Sequence, residues 1–203
     1  QGLSNRESPT AHSSTVAVYI DPLDGTAAFA MSPPMLESVT VLIGIAVDGI
    51  PFAGVIVAPF SEEADGTGGP PRVVWGGPGI GIFGAPSVKT PSISASSSTS
   101  VAIAGLGAPP GRSLQPSILD LISICDETAQ ATVGAEAVSK PIVGLGPGYL
   151  YLGLLDGIID FIFFPMLFSM RWDTCSGEAL LMAVDGCLTD LTGQAISYDH
   201  NDE

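Results

Sequence analysis

Apolar residues recur along this chain at two different periods, and the changes between them outline its elements. Val16-Ala17-Val18-Tyr19-Ile20 is a short apolar run that predicts a strand ending at Asp21, because Pro22 has a fixed φ and biases the residue before it toward extended backbone. From Val39 to Val47 nearly every position is apolar, and after Asp48-Gly49 a second run extends from Phe52 to Val57. That pattern predicts a β-hairpin closed by a turn that favours Asp-Gly, with both faces covered. Val73-Val74-Trp75 predicts another strand, and Gly79-Ile80-Gly81-Ile82-Phe83-Gly84 a further strand pair around a turn.

The period lengthens in the second half. Val101 to Ala104 suits a short strand, whereas Ile118, Leu121, Ile122 and Cys125 follow helical spacing. Tyr149 to Asp156 predicts a helix closed by Gly157, and Ile158 to Phe164 a buried strand. Asp173 to Val184 predicts a helix with Asp173 near its start and Gly186 as its stop. The short strands Cys187 to Thr189 and Ala195 to Tyr198 follow. Ser87 to Ser100 is low in complexity and reads as a connector, dividing the chain into 1–86, 87–100 and 101–203. The whole predicts an α+β fold with a mixed sheet around the hairpin and a second sheet in the C-terminal half.

Composition narrows the chemistry. Six basic against 21 acidic residues give a net charge of −15, which disfavours nucleic-acid backbones and anionic membrane surfaces as partners. The longest apolar stretch, Gly153 to Met170, is interrupted by Asp156, Asp160 and Pro165, so no membrane span is expected. Cys125, Cys175 and Cys187 are odd in number and lie in apolar surroundings, which predicts buried thiols and an intracellular, cytoplasmic or organellar location without secretion. His12 and His200 have no partner at ligand spacing, so zinc has little support.

The segment richest in chemistry is Asp21-Pro22-Leu23-Asp24-Gly25-Thr26. Its two carboxylates, three positions apart, repel unless a cation lies between them, and Gly25 allows a close turn that leaves the Gly25 and Thr26 amides toward an anion. Hard oxygen donors beside backbone amides describe a site for Mg²⁺ and phosphate, although Asp-Pro and Asp-Gly are also common in plain surface turns. Trp172-Asp173-Thr174-Cys175 opens the last helix, where an acidic side chain either caps the helix or faces a ligand. Arg171 beside it is read either as a partner for a second phosphate or as a surface cation, and Glu178 as a solvated first-turn charge.

The DPLDGT turn after a strand, the hairpin VTVLIGIAVDG with AGVI, then VVWGGPGIGIFG and a late WDTC opening a helix, together resemble the inositol monophosphatase superfamily. Within it the chain is most similar to the 3'(2'),5'-bisphosphate nucleotidase branch of lithium-sensitive, Mg²⁺-dependent phosphomonoesterases. The resemblance implies a layered αβαβα sandwich of the sugar-phosphatase type, incomplete at both ends. It implies that Asp21, Asp24, Asp173 and the Leu23 carbonyl hold metal, that the Gly25 and Thr26 amides hold phosphate, and that Asp21, Asp24 and Asp173 are the catalytic acids. The substrate it implies is a small phosphorylated metabolite, with 3'-phosphoadenosine 5'-phosphate first. Relatives carry a Glu-containing metal segment and a water-orienting Thr upstream of the turn, where only twenty residues precede Asp21 here. They also carry charged or polar side chains where this chain has Ala27-Ala28, Gly105 to Ala108 and Tyr149-Leu150. These departures leave two alternatives in view, a non-catalytic descendant that serves as a binding or regulatory module and an inositol or sugar phosphate phosphatase.

Overall fold

The computed structural model describes residues 15–31, 35–60, 69–85, 101–103, 146–159, 161–163, 169–190 and 192–199. Five strands form one sheet in chain order: β1 (Val16–Asp24), β2 (Thr40–Val47), β3 (Ile50–Ala58), β4 (Arg72–Gly77) and β5 (Gly81–Phe83). Every neighbouring pair is antiparallel, so the expected mixed sheet is corrected to a meander in which each strand turns back beside its predecessor. β6 (Val101–Ile103) and β7 (Phe161–Phe163) form a separate two-stranded parallel sheet. Among the described residues the helices are α1 (Thr26–Met31), α2 (Pro147–Leu155) and α3 (Arg171–Met182), with a 3-10 turn at Leu36–Ser38.

Local chemistry accounts for the turns. Asp48 and Gly49 both have positive φ, 50° and 77°, the geometry whose twist matches that of two flanking strands. β1 does not stop at Asp21 as its proline suggests. Asp24 still pairs with Thr40, and a register shift between Asp21 and Asp24 absorbs the intervening residues, so the strand bulges and continues. Gly79 and Ile80 fall in the turn between β4 and β5 rather than in a strand of their own, because Gly79 and Gly81 adopt left-handed backbone and the Ile80 amide bonds the Gly77 carbonyl.

The core lies on one face of the sheet. Leu42, Ile56, Ala58 and Val74 from the strands meet Tyr151, Leu152 and Leu155 of α2 and Leu180 and Leu181 of α3. α3 lies directly on β2 and β3, where Gly44 and Gly54 leave room for it. A Cβ at Gly44 would stand 2.6 Å from Cys175 Cβ, and one at Gly54 would overlap the Ser176 carbonyl. Gly177 in turn receives the Tyr151 ring, which locks the two helices together. The opposite face is apolar too, but among the described residues Val16, Val18, Ile20, Ile50, Val73, Trp75 and Phe83 on it remain exposed. Among the described residues, the two long helices pack on one side of the sheet.

Three further expectations change. Of the strand expected over Ile158 to Phe164, the described residues form Phe161–Phe163, and Ile158 is 65% exposed because Gly157, with φ of 69°, ends α2 and turns the chain outward. Cys187–Thr189 and Ala195–Tyr198 share a single bridge, Thr189 to Ala195. The Asp190 carboxylate accepts bonds from the Thr192 and Gln194 amides, each 2.8 Å, and this side-chain-centred turn replaces a longer ladder. Cys175 is buried as expected but Cys187 is exposed, since it lies beyond the end of α3 where Gly186 closes the last turn onto the Leu181 carbonyl at 2.8 Å. Cys125, His12, His200, the connector and the helix expected at 118–125 lie outside the described residues. No helix among the described residues is long and apolar enough to cross a membrane.

Candidate metal centre

The tip of β1 and the first turn of α3 converge. Asp21, Asp24 and Asp173 each offer one carboxylate oxygen within a group whose atoms all lie within 4.8 Å of one another. Asp21 and Asp24 reach this point because the register shift in β1 separates them by the bulge Pro22-Leu23. Asp173 reaches it because α3 rests on the glycines of β2 and β3, which fixes where the helix begins.

Each carboxylate is anchored through one of its oxygens. Asp21 Oδ1 accepts the Leu23 amide at 2.9 Å, a local turn that points the acid beyond the strand. Asp173 stands at the third position of α3, and its Oδ2 accepts the Met170 amide at 2.8 Å, so it caps the helix and faces the cluster at once. Asp24, only 4% exposed, accepts two bonds on Oδ2, from Thr40 Oγ1 at 2.6 Å and from the Gly148 amide at 2.7 Å.

Crowding three acids has an electrostatic cost. Burial pushes Asp24 from its ordinary 3.8 to about 6; the Thr40 and Gly148 bonds oppose the rise, and the charges of Asp21 and Asp173 add to it. Asp173 is also raised, first by burial and then by Asp21, against the Met170 bond. A divalent cation would relieve both effects, and a set of carboxylate oxygens without His or Cys suits Mg²⁺ or Mn²⁺ better than a softer metal. The residues present fit the ion that the sequence implies.

The remaining residues singled out in the sequence surround this cluster. The Leu23 carbonyl accepts the Thr26 hydroxyl at 3.0 Å and keeps a second lone pair. Gly25 has φ of 78°, and a Cβ there would stand 2.8 Å from the Ser38 carbonyl, so both backbone and space require glycine. Its carbonyl accepts the Phe29 amide and starts α1, a short helix that the turn motif did not signal. Arg171 Nε donates to the Ser197 carbonyl at 3.0 Å, tying the start of α3 to the C-terminal segment.

Glu178 corrects the expectation of a solvated charge. It is 5% exposed, and its Oε2 accepts the Tyr198 hydroxyl at 2.6 Å, while the Tyr19 hydroxyl donates to the Tyr198 carbonyl at 2.8 Å. Burial raises Glu178 above the usual carboxylate range despite the Tyr198 bond. The helix turns this residue inward, onto the sheet side, where a tyrosine distant in sequence supplies the donor. Thr40 and Gly148 carry no motif of their own in the sequence. The available signal was a polar residue in phase with Leu42 and Ala46 on the buried face of β2, since a buried hydroxyl needs a partner.

Comparison with known proteins identifies relatives of the chain. Residues 3–203 match the model of the inositol monophosphatase family. The chain is 31% identical over 189 residues to mouse 3'(2'),5'-bisphosphate nucleotidase 1, covering 91% of this chain and 53% of that protein. It is 30% identical over 194 residues to the human Golgi-resident adenosine 3',5'-bisphosphate 3'-phosphatase, covering 93% and 45%. The chain thus spans about half the length of these relatives. Among solved structures, the extragenic suppressor protein suhB from Bartonella henselae superposes with a TM-score of 0.62 at 20% identity, over 88% of this chain and 59% of that one. Inositol monophosphatase-II from Staphylococcus aureus superposes with 0.58 at 18% identity, over 90% and 60%. These likenesses support the layered α+β fold, and the match along almost the whole sequence settles the kinship: the chain belongs to the inositol monophosphatase family.

Proposed function

We propose that this protein acts as a Mg²⁺-dependent phosphomonoesterase that removes the 3'-phosphate from adenosine 3',5'-bisphosphate (3'-phosphoadenosine 5'-phosphate) or a related small bisphosphate. The observation that carries the reading is the meeting of Asp21, Asp24 and Asp173 at one point from a strand tip and a distant helix start. The relatives named for bisphosphate nucleotidase and 3'-phosphatase activity support the choice of substrate.

In this reading Asp21, Asp24, Asp173 and the Leu23 carbonyl hold the metal. A divalent cation supplies Lewis-acid activation of water and neutralises charge on the phosphate. The chain's own contribution is placement. Asp21 and Asp24 present their acids from a bulged strand, Asp173 presents its acid from the far side, and the Gly25 and Thr26 amides orient the phosphate between them. With a net charge of −15, the chain depends on bound cations to admit a multiply charged ester.

The test is release of inorganic phosphate from adenosine 3',5'-bisphosphate in Mg²⁺, with inositol 1-phosphate assayed beside it. Release that stops with a chelator and falls more than about a hundredfold in Asp21→Asn supports the reading. Release undiminished by that substitution overturns it. Ala27, Ala28 and Tyr149, where the resemblance expects charged or polar groups, favour a second reading, a family member that binds the ester without cleaving it. Calorimetric binding of the bisphosphate without phosphate release would support that reading instead.

A further inference from the structure

We infer that Thr40 is a positioning residue that dictates which oxygen of Asp24 meets the cation, and that it thereby makes the site selective for Mg²⁺ over Ca²⁺. The inference rests on the reading of the acidic cluster as a cation site. Thr40 is fully buried at the start of β2, facing the same way as Leu42. It spends its hydroxyl on Asp24 Oδ2 at 2.6 Å, and the Gly148 amide bonds the same oxygen at 2.7 Å. Two short bonds on one oxygen leave Oδ1 as the oxygen available to a metal.

The surroundings make this arrangement stiff. A Cβ at Gly148 would run into Thr40 Oγ1 and stand 2.6 Å from Leu42 Cδ2 and 2.9 Å from Asp24 Oδ2. A Cβ at Gly146 would stand 2.6 Å from Asp24 Oδ1. The Gly146-Pro147-Gly148 segment can approach the carboxylate this closely only because it carries no side chain on either flank. The ring of Pro147, at the start of α2, restricts how far the segment can yield. Thr40, branched at Cβ and set in a strand, has few rotamers to explore.

Comparison within the cluster isolates Thr40. Asp21 and Asp173 each accept a backbone amide, of Leu23 and Met170, which no side-chain substitution removes. Asp24 is held in addition by a hydroxyl donor from another strand. A carboxylate with one oxygen so engaged ligates through the other only, which suits the small octahedral shell of Mg²⁺. Ca²⁺, with six to eight ligands and looser geometry, gains from a carboxylate free to bind through both oxygens.

The test is calorimetric titration of the protein with MgCl₂ and with CaCl₂ for the wild type, Thr40→Val and Thr40→Ser. Thr40→Val should lose about ten- to a hundredfold in Mg²⁺ affinity, as supporting groups around metal ligands do, with a smaller loss for Ca²⁺. Thr40→Ser, which keeps the hydroxyl, should restore the Mg²⁺ preference. An equal loss for both ions, or none, would assign Thr40 a purely structural role and overturn the inference. A wild type that binds neither ion would instead overturn the cation-site reading beneath it. If Thr40→Val does not fold, infrared spectra of the Mg²⁺-loaded wild type against Asp24→Asn decide the matter. One-oxygen ligation widens the splitting of the Asp24 carboxylate stretches, and a narrow splitting would overturn the proposal.

Discussion

The two halves of the acidic centre are built by different means. At the β1 tip the geometry is largely local: Asp21 bonds the Leu23 amide, Thr26 bonds the Leu23 carbonyl, and Gly25 turns the chain. At the α3 start, only the Met170 cap is local, and the position of the helix depends on contacts with Gly44, Gly54 and Tyr151. A site half written in six consecutive residues and half in long-range packing should fail in two distinguishable ways, one through its ligands and one through the distance between them.

The packed half should be the more fragile. Gly54→Ala would drive a methyl group into the Ser176 backbone, which has no flexible end to move aside, so we expect about 3 kcal/mol of destabilisation in urea unfolding. Mg²⁺ binding by calorimetry should also weaken at temperatures where the variant remains folded, because Asp173 is displaced while Asp21 and Asp24 keep their places. Unchanged binding would show that α3 tolerates a shift without moving its acid.

Substitution in the local half should act with opposite signs on stability and binding. Asp24 holds a charge that the apo fold disfavours. Its folded-state value near 6 lies above the ordinary 3.8, so the stability it contributes is full below 3.8 and is lost as pH rises through about 6. Asp24→Asn should therefore raise apo stability at pH 7 by roughly 2–3 kcal/mol while abolishing cation binding. By the same linkage, wild-type Mg²⁺ affinity should fall as pH drops through about 6, since the proton and the cation compete for Asp24. An affinity flat from pH 5 to 8 would contradict this.

Smaller effects sharpen the contrast. Tyr198→Phe leaves the buried Glu178 carboxylate without its donor and should cost about 1–2 kcal/mol, measured by thermal unfolding. Glu178→Gln, which can still accept that bond, should cost less. Thr26→Ala removes an exposed local bond and should change stability by about 0.5 kcal/mol, with any loss appearing in substrate binding.

What the sequence disclosed follows the same division. The DPLDGT turn, the Asp-Gly hairpin, the helix stop at Gly157 and the acid at the start of α3 are short-range signals, each set by the conformational limits of Gly and Pro or by a carboxylate near free amides. The partners of Thr40, the Gly148 amide and Glu178 were not legible, because each lies many residues away: Asp24, Asp24 again and Tyr198. The side of the sheet on which α3 packs was hidden for a related reason. Apolar residues on both faces of β2 and β3 state that both can be buried, but not which face the helices take. The glycines at 44 and 54 carried that information, as gaps shaped for a backbone rather than as weak strand positions.

The bulge in β1 has a consequence beyond presenting acids. Among the described residues β1 is an outer strand of its sheet, and a straight outer strand invites a foreign chain to add itself to the ladder. Here the same few residues interrupt the register, remove one amide through Pro22 and set negative charge at the tip. The device that gathers the carboxylates thus also discourages this margin from templating aggregates.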